Sequence, residues 1–91
     1  MTKKQWIALW IAERDAVVKT YDVQKFKIFY EKWRARGMYT LKLPSDEVIE
    51  VSLRKMVYNM TTATKAEKKE AKEWLESRHY STSMYDVGGE L

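Results

Sequence analysis

Residues that break regular backbone are scarce in this sequence, and their scarcity limits what the chain can fold into. Gly37 and Pro44 are the only glycine and proline before Gly88 and Gly89 near the carboxyl end. Glycine and proline are the residues that most often end helices and form turns. We therefore expect long regular elements, with one interruption between Gly37 and Pro44.

Apolar residues recur at helical spacing on both sides of this interruption. In the first half, Thr2 is a suitable N-cap for a helix over about residues 3–21, and Asp22 is one for a second helix that runs to Arg36. Gly37 stands where a glycine commonly ends a helix. The predicted core faces of these helices are Trp6, Ile7, Trp10, Ile11, Val17, Val18 and Tyr21 in the first and Phe26, Phe29, Tyr30 and Trp33 in the second.

Two further helices are predicted in the second half. The third begins after Pro44 with Ser45 as its N-cap, and the fourth begins at Thr64, which forms a capping box with Glu67. The third helix is apolar on two sides, with Ile49, Leu53, Met56, Val57 and Met60 on one and Val48, Val51 and Tyr58 on the other. A helix that is apolar on two sides is either central in a bundle or presents one side to a partner. The fourth has a narrow apolar stripe of Ala71, Trp74 and Leu75.

These patterns predict an all-α fold, a small bundle of three to four helices in a single domain over residues 1–80. A chain of 91 residues is long enough for one small domain. Residues 38–43 are predicted as a short extended connector, because a lone strand would have nothing to pair with. Residues 81–91 show no periodicity and are predicted as a flexible C-terminal tail.

The residue inventory excludes several kinds of chemical site unless another chain supplies the missing groups. The chain has no cysteine and a single histidine, His79, so it cannot build a disulfide scaffold, a Cys/His zinc site or a thiol nucleophile. Its clustered glutamates alternate with lysines, which is typical of a solvated face. With no glycine-rich phosphate loop, we expect no catalysis, no cofactor, no metal and no small-molecule substrate.

The same inventory bears on location. No stretch reaches the roughly 20 apolar residues that a membrane span requires. The apolar run at the amino terminus is too short for a secretory signal and has no small-residue cleavage site. Absence of cysteine is compatible with a reducing compartment. We therefore expect a cytoplasmic protein with no membrane partner.

Two surfaces are candidates for binding another molecule. One is basic and interleaved with the aromatic residues of the second helix, a combination that contacts phosphates and stacks on nucleic-acid bases: Lys25, Lys27, Lys32, Arg34 and Arg36. The other is apolar and extends beyond the minimal core: Val48, Val51 and Tyr58 on the third helix and Ile28 on the far side of the second. We predict binding of a protein, either a partner or a second copy in a homo-oligomer, with nucleic acid as the alternative.

A helix-turn-helix built from the third and fourth helices is a further alternative. Its turn would lie at residues 61–63, and the fourth helix would present Lys65, Lys68, Lys69 and Lys72 to the DNA. Glutamates stand between these lysines and would repel phosphate. The pattern therefore favours this alternative less than the basic second helix.

Three stretches of the sequence resemble small uncharacterised proteins encoded in phages and prophages of Gram-positive bacteria. They are Lys25–Gly37, Leu43–Ile49 and Glu73–Arg78, and the likeness covers about residues 24–81. The resemblance implies a cytoplasmic protein that acts in an infected or lysogenic cell as a regulator, as an inhibitor of a host or defence protein, or in DNA metabolism. No catalytic or binding motif accompanies it.

Overall fold

A computed structural model describes residues 1–84 as four α-helices joined by loops. The helices are α1 (Lys3–Val18), α2 (Val23–Arg34), α3 (Asp46–Asn59) and α4 (Lys65–Ser77). The described residues form no β-strand, so the predicted all-α class is confirmed. The predicted connector at 38–43 is an irregular loop. The predicted tail falls outside the described residues from position 85 onward.

These helices belong to two compact units. Unit 1, Met1–Leu43, contains α1 packed on α2, and unit 2, which begins at Pro44, contains α3 packed on α4. The single domain over residues 1–80 stays a prediction. No helix in the described part of the chain has the length and apolar character that crossing a membrane requires.

The helices begin where the sequence predicts. Each N-cap side chain accepts a hydrogen bond from a backbone amide three residues later: Thr2 from Gln5, Asp22 from Lys25, Ser45 from Val48 and Thr64 from Glu67. The Thr64 capping box is closed by the Glu67 carboxylate, which accepts from the Thr64 amide at 2.8 Å. Such caps stabilise a helix by about 1 kcal/mol each because they satisfy amides that have no partner inside the helix.

The end of α2 confirms the role predicted for Gly37. Its φ of 87° is in the left-handed region, and its amide donates to the Arg34 carbonyl at 3.0 Å. The amide of Met38 donates to the Trp33 carbonyl, also at 3.0 Å. These two bonds form a Schellman motif, which turns the chain away from the helix axis.

α4 ends in the same motif, but with His79 in the position that glycine usually takes. The His79 amide donates to Glu76 at 3.1 Å, the Tyr80 amide donates to Leu75 at 2.9 Å, and His79 has a φ of 63°. A residue with a Cβ is strained there by roughly 1–2 kcal/mol, whereas glycine loses only about 0.4–1 kcal/mol through its freer unfolded chain. We expect His79→Gly to raise the free energy of unfolding by about 0.5–1 kcal/mol.

Urea denaturation measures this gain. His79→Ala is the matched control, because it removes the imidazole and keeps the Cβ in the left-handed region. Since the His79 side chain is exposed, its loss alone should change little. Equal stabilisation by glycine and alanine would contradict backbone strain as the cause.

The predicted core face of α1 is wrong in part. Val18 is fully buried and Trp6, Trp10 and Val17 are partly buried, but Ile7 and Ile11 are 37% and 38% exposed. The reason is that α1 is apolar on every side, with Ala8, Leu9, Ala12 and Ala16 on the remaining surface. Its periodicity therefore does not select one face. In the core faces predicted for α2 and α4, Phe26, Phe29, Trp33, Ala71 and Leu75 are buried, whereas Tyr30 and Trp74 are only partly buried.

A ladder of aromatic rings holds the start of the connector against unit 1. The Trp10 indole donates to the Tyr39 hydroxyl at 3.1 Å, and the rings of Tyr39 and Tyr30 stack with centroids 4.1 Å apart. The Tyr30 hydroxyl in turn donates to the Leu41 carbonyl at 2.6 Å. The connector is therefore ordered by side chains rather than by a sheet, and the burial of Tyr39 raises the pKa of its phenol.

Candidate protein-binding face

The apolar stripe predicted on α3 does not form an accessible surface. Val51 is only 2% exposed, and Val48 and Tyr58 are partly buried. Every second residue from 49 to 57 is buried, and residues two apart lie on nearly opposite sides of a helix. α3 is thus covered on two sides, which corrects the assignment of Val51 to a partner-binding stripe. It is a core residue.

Ile28 is the predicted partner-binding residue that the structure leaves open to solvent. It is 72% exposed, and it lies on the side of α2 opposite the buried Phe26, Phe29 and Trp33. The residues around it follow one another at intervals of three and four and are all exposed: Gln24, Lys25, Glu31, Lys32 and Ala35. Together with Ile28 they form what we call the outward face of α2.

The basic residues predicted to bind nucleic acid lie on or beside this same face. Lys25, Lys32 and Arg36 are exposed, whereas Lys27 and Arg34 are partly buried. The two predicted sites, the apolar Ile28 and the basic residues, therefore lie on or beside one face of α2. Spacing alone assigns Ile28 and the basic residues to separate functions.

Contacts within unit 1 engage Lys32, Arg34 and Arg36. The Lys32 ammonium contacts both oxygens of Glu13 at 2.9 and 3.1 Å, and Arg34 contacts Glu31 at 3.4 Å. The Arg36 guanidinium lies over the rings of Trp6 and Trp33, 4.9 and 5.2 Å from their centroids. Lys32 and Arg36 therefore help to hold α2 against α1, whereas the pair of Arg34 with Glu31 lies within α2.

The aromatic residues of α2 are not available for stacking on bases. Trp33 is fully buried, Phe29 and Phe26 are 6% and 7% exposed, and Tyr30 is stacked on Tyr39. Base stacking requires an open ring face. The alternation of basic and aromatic residues in α2 therefore reflects a core stripe with a charged margin.

Unit 1 accounts for the positive charge of the chain. It has ten basic and four acidic residues, a net charge of +6, whereas residues 44–84 have seven of each. The four acids are engaged: Glu13, Asp15 and Glu31 form ion pairs, and Asp22 caps α2. The surface around α2 is consequently electropositive.

Glu13 is a structural residue that the sequence analysis missed. From α1 it accepts hydrogen bonds from Lys32 and, at 2.8 Å, from the indole nitrogen of Trp33, so it ties the two helices of unit 1 together. The bond from Lys32, followed by the bond from Trp33, holds the pKa of Glu13 below its ordinary value. A contact across nineteen residues leaves no periodic signal that would reveal it.

The lowered pKa of Glu13 predicts a dependence of stability on pH. The ionised carboxylate stabilises the folded state above its unfolded pKa of about 4.3, and this contribution disappears as the pH falls through the lower folded pKa. We expect Glu13→Gln to lower the melting temperature at neutral pH, and the difference from the natural protein to shrink as the pH falls below the unfolded pKa and to vanish below the lowered folded pKa. Glu31→Gln, at a looser and more exposed pair, is the control and should have little effect. A Glu13→Gln difference that stays constant across the pH range would contradict this.

In unit 2, the predicted residue Tyr58 is partly buried, unlike the exposed Ile28. Tyr58 lines an open cleft of about 280 Å³ with side chains of α4 and of the segment after it: Lys72, Glu76, Tyr80, Ser81 and Thr82. The described residues contain no cluster of three His, Cys, Asp or Glu side chains able to hold a metal ion.

Comparison with known proteins adds no assignment to this geometry. No protein-family model, no curated protein and no solved structure matches the chain.

Proposed function

We propose that this is a non-catalytic binding protein that contacts a protein partner through the outward face of α2. The observation that supports the proposal is Ile28, which is 72% exposed at the centre of a charged helix face while the opposite face is buried. Moving an exposed isoleucine into an apolar contact contributes roughly 1.5–3 kcal/mol. Ala35, two turns further along, leaves room for another backbone or side chain to approach beside it.

Nucleic-acid binding is the second candidate, and one observation favours it. The net charge of +6 in unit 1 would attract phosphates. The buried aromatic rings and the contacts of Lys32 with Glu13 and of Arg34 with Glu31 weigh against it. An isoleucine at the centre of the face also contributes nothing to phosphate contact. A protein partner therefore accounts for both the exposed Ile28 and the charged residues around it, whereas nucleic acid accounts only for the charge.

The resemblance to phage and prophage proteins suggests a setting for this binding. In a bacterial cytoplasm, a small binding protein without catalytic groups would act as a regulator or an inhibitor by covering a surface of its partner. The same proposal covers a host protein and a phage protein as the partner.

Selection of displayed random peptides on the immobilised protein tests the proposal. We expect the natural protein to enrich specific sequences, and Ile28→Glu to lose them. Leu41→Glu is the matched control: Leu41 is 75% exposed in the same unit but lies outside α2, so this variant should retain them. A selection that yields no sequence dependent on Ile28 would overturn the proposal.

A second arm of the experiment addresses nucleic acid. A labelled random-sequence DNA duplex is titrated with the protein at about 50 and 200 mM salt, where phosphate contacts weaken steeply. We expect little binding at the higher concentration. Tight DNA binding at the higher salt concentration that is retained by Ile28→Glu but lost in Lys25→Glu would support nucleic-acid binding instead of protein binding.

A further inference from the structure

The outward face of α2 can be described in the heptad frame of paired helices, with apolar residues at its a positions and polar residues at its d positions. In a heptad labelled a to g, Ile28 and Ala35 occupy successive a positions, and Gln24 and Glu31 occupy the d positions. One heptad spans about 10.5 Å along a helix axis. All four residues are exposed, so this seam is open to a second helix over slightly less than two heptads.

The positions on both sides of the seam are all basic. Lys25 and Lys32 occupy the e positions, and Lys27 and Arg34 occupy the g positions. In two-stranded coiled coils, residues at e and g pair with opposite charges on the partner helix and decide which helix is accepted. Four cations at these four positions define a partner by its charge.

Internal ion pairs reduce this positive charge without removing it. Lys32 forms an ion pair with Glu13, and Arg34 forms one with Glu31. The two basic side chains nevertheless remain 44% and 35% exposed. Lys25 is exposed and contacts no carboxylate among residues 1–84. It stands one turn before Ile28, where a charge on a partner helix would pass closest to the apolar contact.

A second copy of the chain fits this face poorly. Two α2 helices paired through Ile28 would set lysine and arginine against lysine and arginine at e and g, and would bring together two units that each carry +6. Like charges placed opposite one another disfavour such a pairing. The same cations favour a helix of opposite charge.

We infer that the outward face of α2 pairs with an acidic α-helix of a partner protein, one with apolar residues at its own a and d positions and glutamate or aspartate at e and g. This inference rests on the proposed function and adds the chemistry of the partner to it. The contact is short, so its strength depends on the charges beside the seam as well as on Ile28.

Two synthetic peptides serve as probes. Each is a labelled helix of three heptads with leucine at a and d, and they differ only in having glutamate or lysine at e and g. Fluorescence anisotropy at low salt should show the glutamate peptide binding at least tenfold more tightly than the lysine peptide. The preference should shrink as salt is added, because exposed charges become screened. Ile28→Glu should abolish binding of the glutamate peptide.

A charge-reversal pair separates position from net charge. Lys25→Glu places an acid on the outward face of α2, and the backbone amide that bonds to Asp22 is kept. We expect this variant to bind the glutamate peptide at least threefold more weakly than the natural protein does, and to bind the lysine peptide more tightly. Lys42→Glu changes the charge of the protein equally but lies in the connector, so it should leave the preference largely intact.

The outcomes distinguish this inference from the proposed function. Equal binding of the two peptides, equal effects of Lys25→Glu and Lys42→Glu, or binding that ignores Ile28→Glu would each overturn the acidic-helix inference. If displayed peptides are still selected through Ile28 without an acidic bias, the proposed function stands and the inference fails. If neither the display selection nor the glutamate peptide gives Ile28-dependent binding, both fail.

Discussion

Replacement of Trp33 by alanine is expected to lower the free energy of unfolding by about 3–5 kcal/mol. Trp33 is fully buried, and its ring packs edge-on against Trp6 with centroids 5.7 Å apart. Its indole nitrogen donates to Glu13 at 2.8 Å, and Arg36 lies over its ring. One substitution therefore removes a large buried surface and a charged hydrogen bond. Because small proteins have only about 5–15 kcal/mol of stability, this loss leaves unit 1 close to unfolding.

Far-UV circular dichroism in urea measures this effect without relying on the deleted fluorophore. Trp33→Phe keeps most of the buried ring and loses the bond to Glu13, so its stability should lie between those of Trp33→Ala and the natural protein. Ile28→Ala is the exposed control and should change stability by no more than about 0.5 kcal/mol. If Ile28→Ala proved as damaging as Trp33→Ala, the assignment of inward and outward faces to α2 would be wrong.

The second large effect is expected in unit 2, where Leu75→Ala should lower the free energy of unfolding by about 2–5 kcal/mol. Leu75 is fully buried, as is Ala71 one turn earlier, and these residues form the narrow apolar stripe of α4. Removing the side chain leaves a cavity that the helix backbone cannot close without breaking its own hydrogen bonds. The Schellman bond from Tyr80 uses the Leu75 carbonyl and survives the substitution.

Glu73→Ala is the control on the same helix. Glu73 is exposed and forms a loose pair with Lys69 at 3.9 Å, a contact worth only a few tenths of a kcal/mol. Thermal melts of the two variants should therefore differ by about 10 °C or more, given about 4–8 °C per kcal/mol for a domain of this size. Melting temperatures that fell together would show that Leu75 does not fill the core of unit 2.

Local sequence signals predicted where the helices begin, because caps act over three residues, whereas α1 ends three residues before the predicted residue 21. Thr2, Asp22, Ser45 and Thr64 each reach an amide within the next turn, so no distant part of the chain is needed to identify them. Gly37 is recognisable for the same reason. The partial burial of α1 was not predictable in this way, because apolar residues surround that helix and tertiary contacts decide which of them are covered.

The candidate binding face was only partly predictable from the sequence. The far-side position of Ile28 and its distance of seven residues from Ala35 follow from helical periodicity. Periodicity does not show that Lys32 is held by Glu13 from another helix, or that Val51 is covered while Ile28 is not. Contacts between residues far apart in sequence determine both the pairing of Lys32 and the burial of Val51.

The tryptophans are divided unequally between the two units, and this makes them useful as optical labels. Trp6, Trp10 and Trp33 lie in unit 1, and Trp74 is the single indole of unit 2, with the Arg78 guanidinium 4.2 Å from its ring centroid. Emission from the natural protein therefore reports mainly on unit 1, and its difference from Trp74→Phe isolates unit 2. The unfolding of each unit can thus be followed separately by intrinsic tryptophan fluorescence, without an added dye.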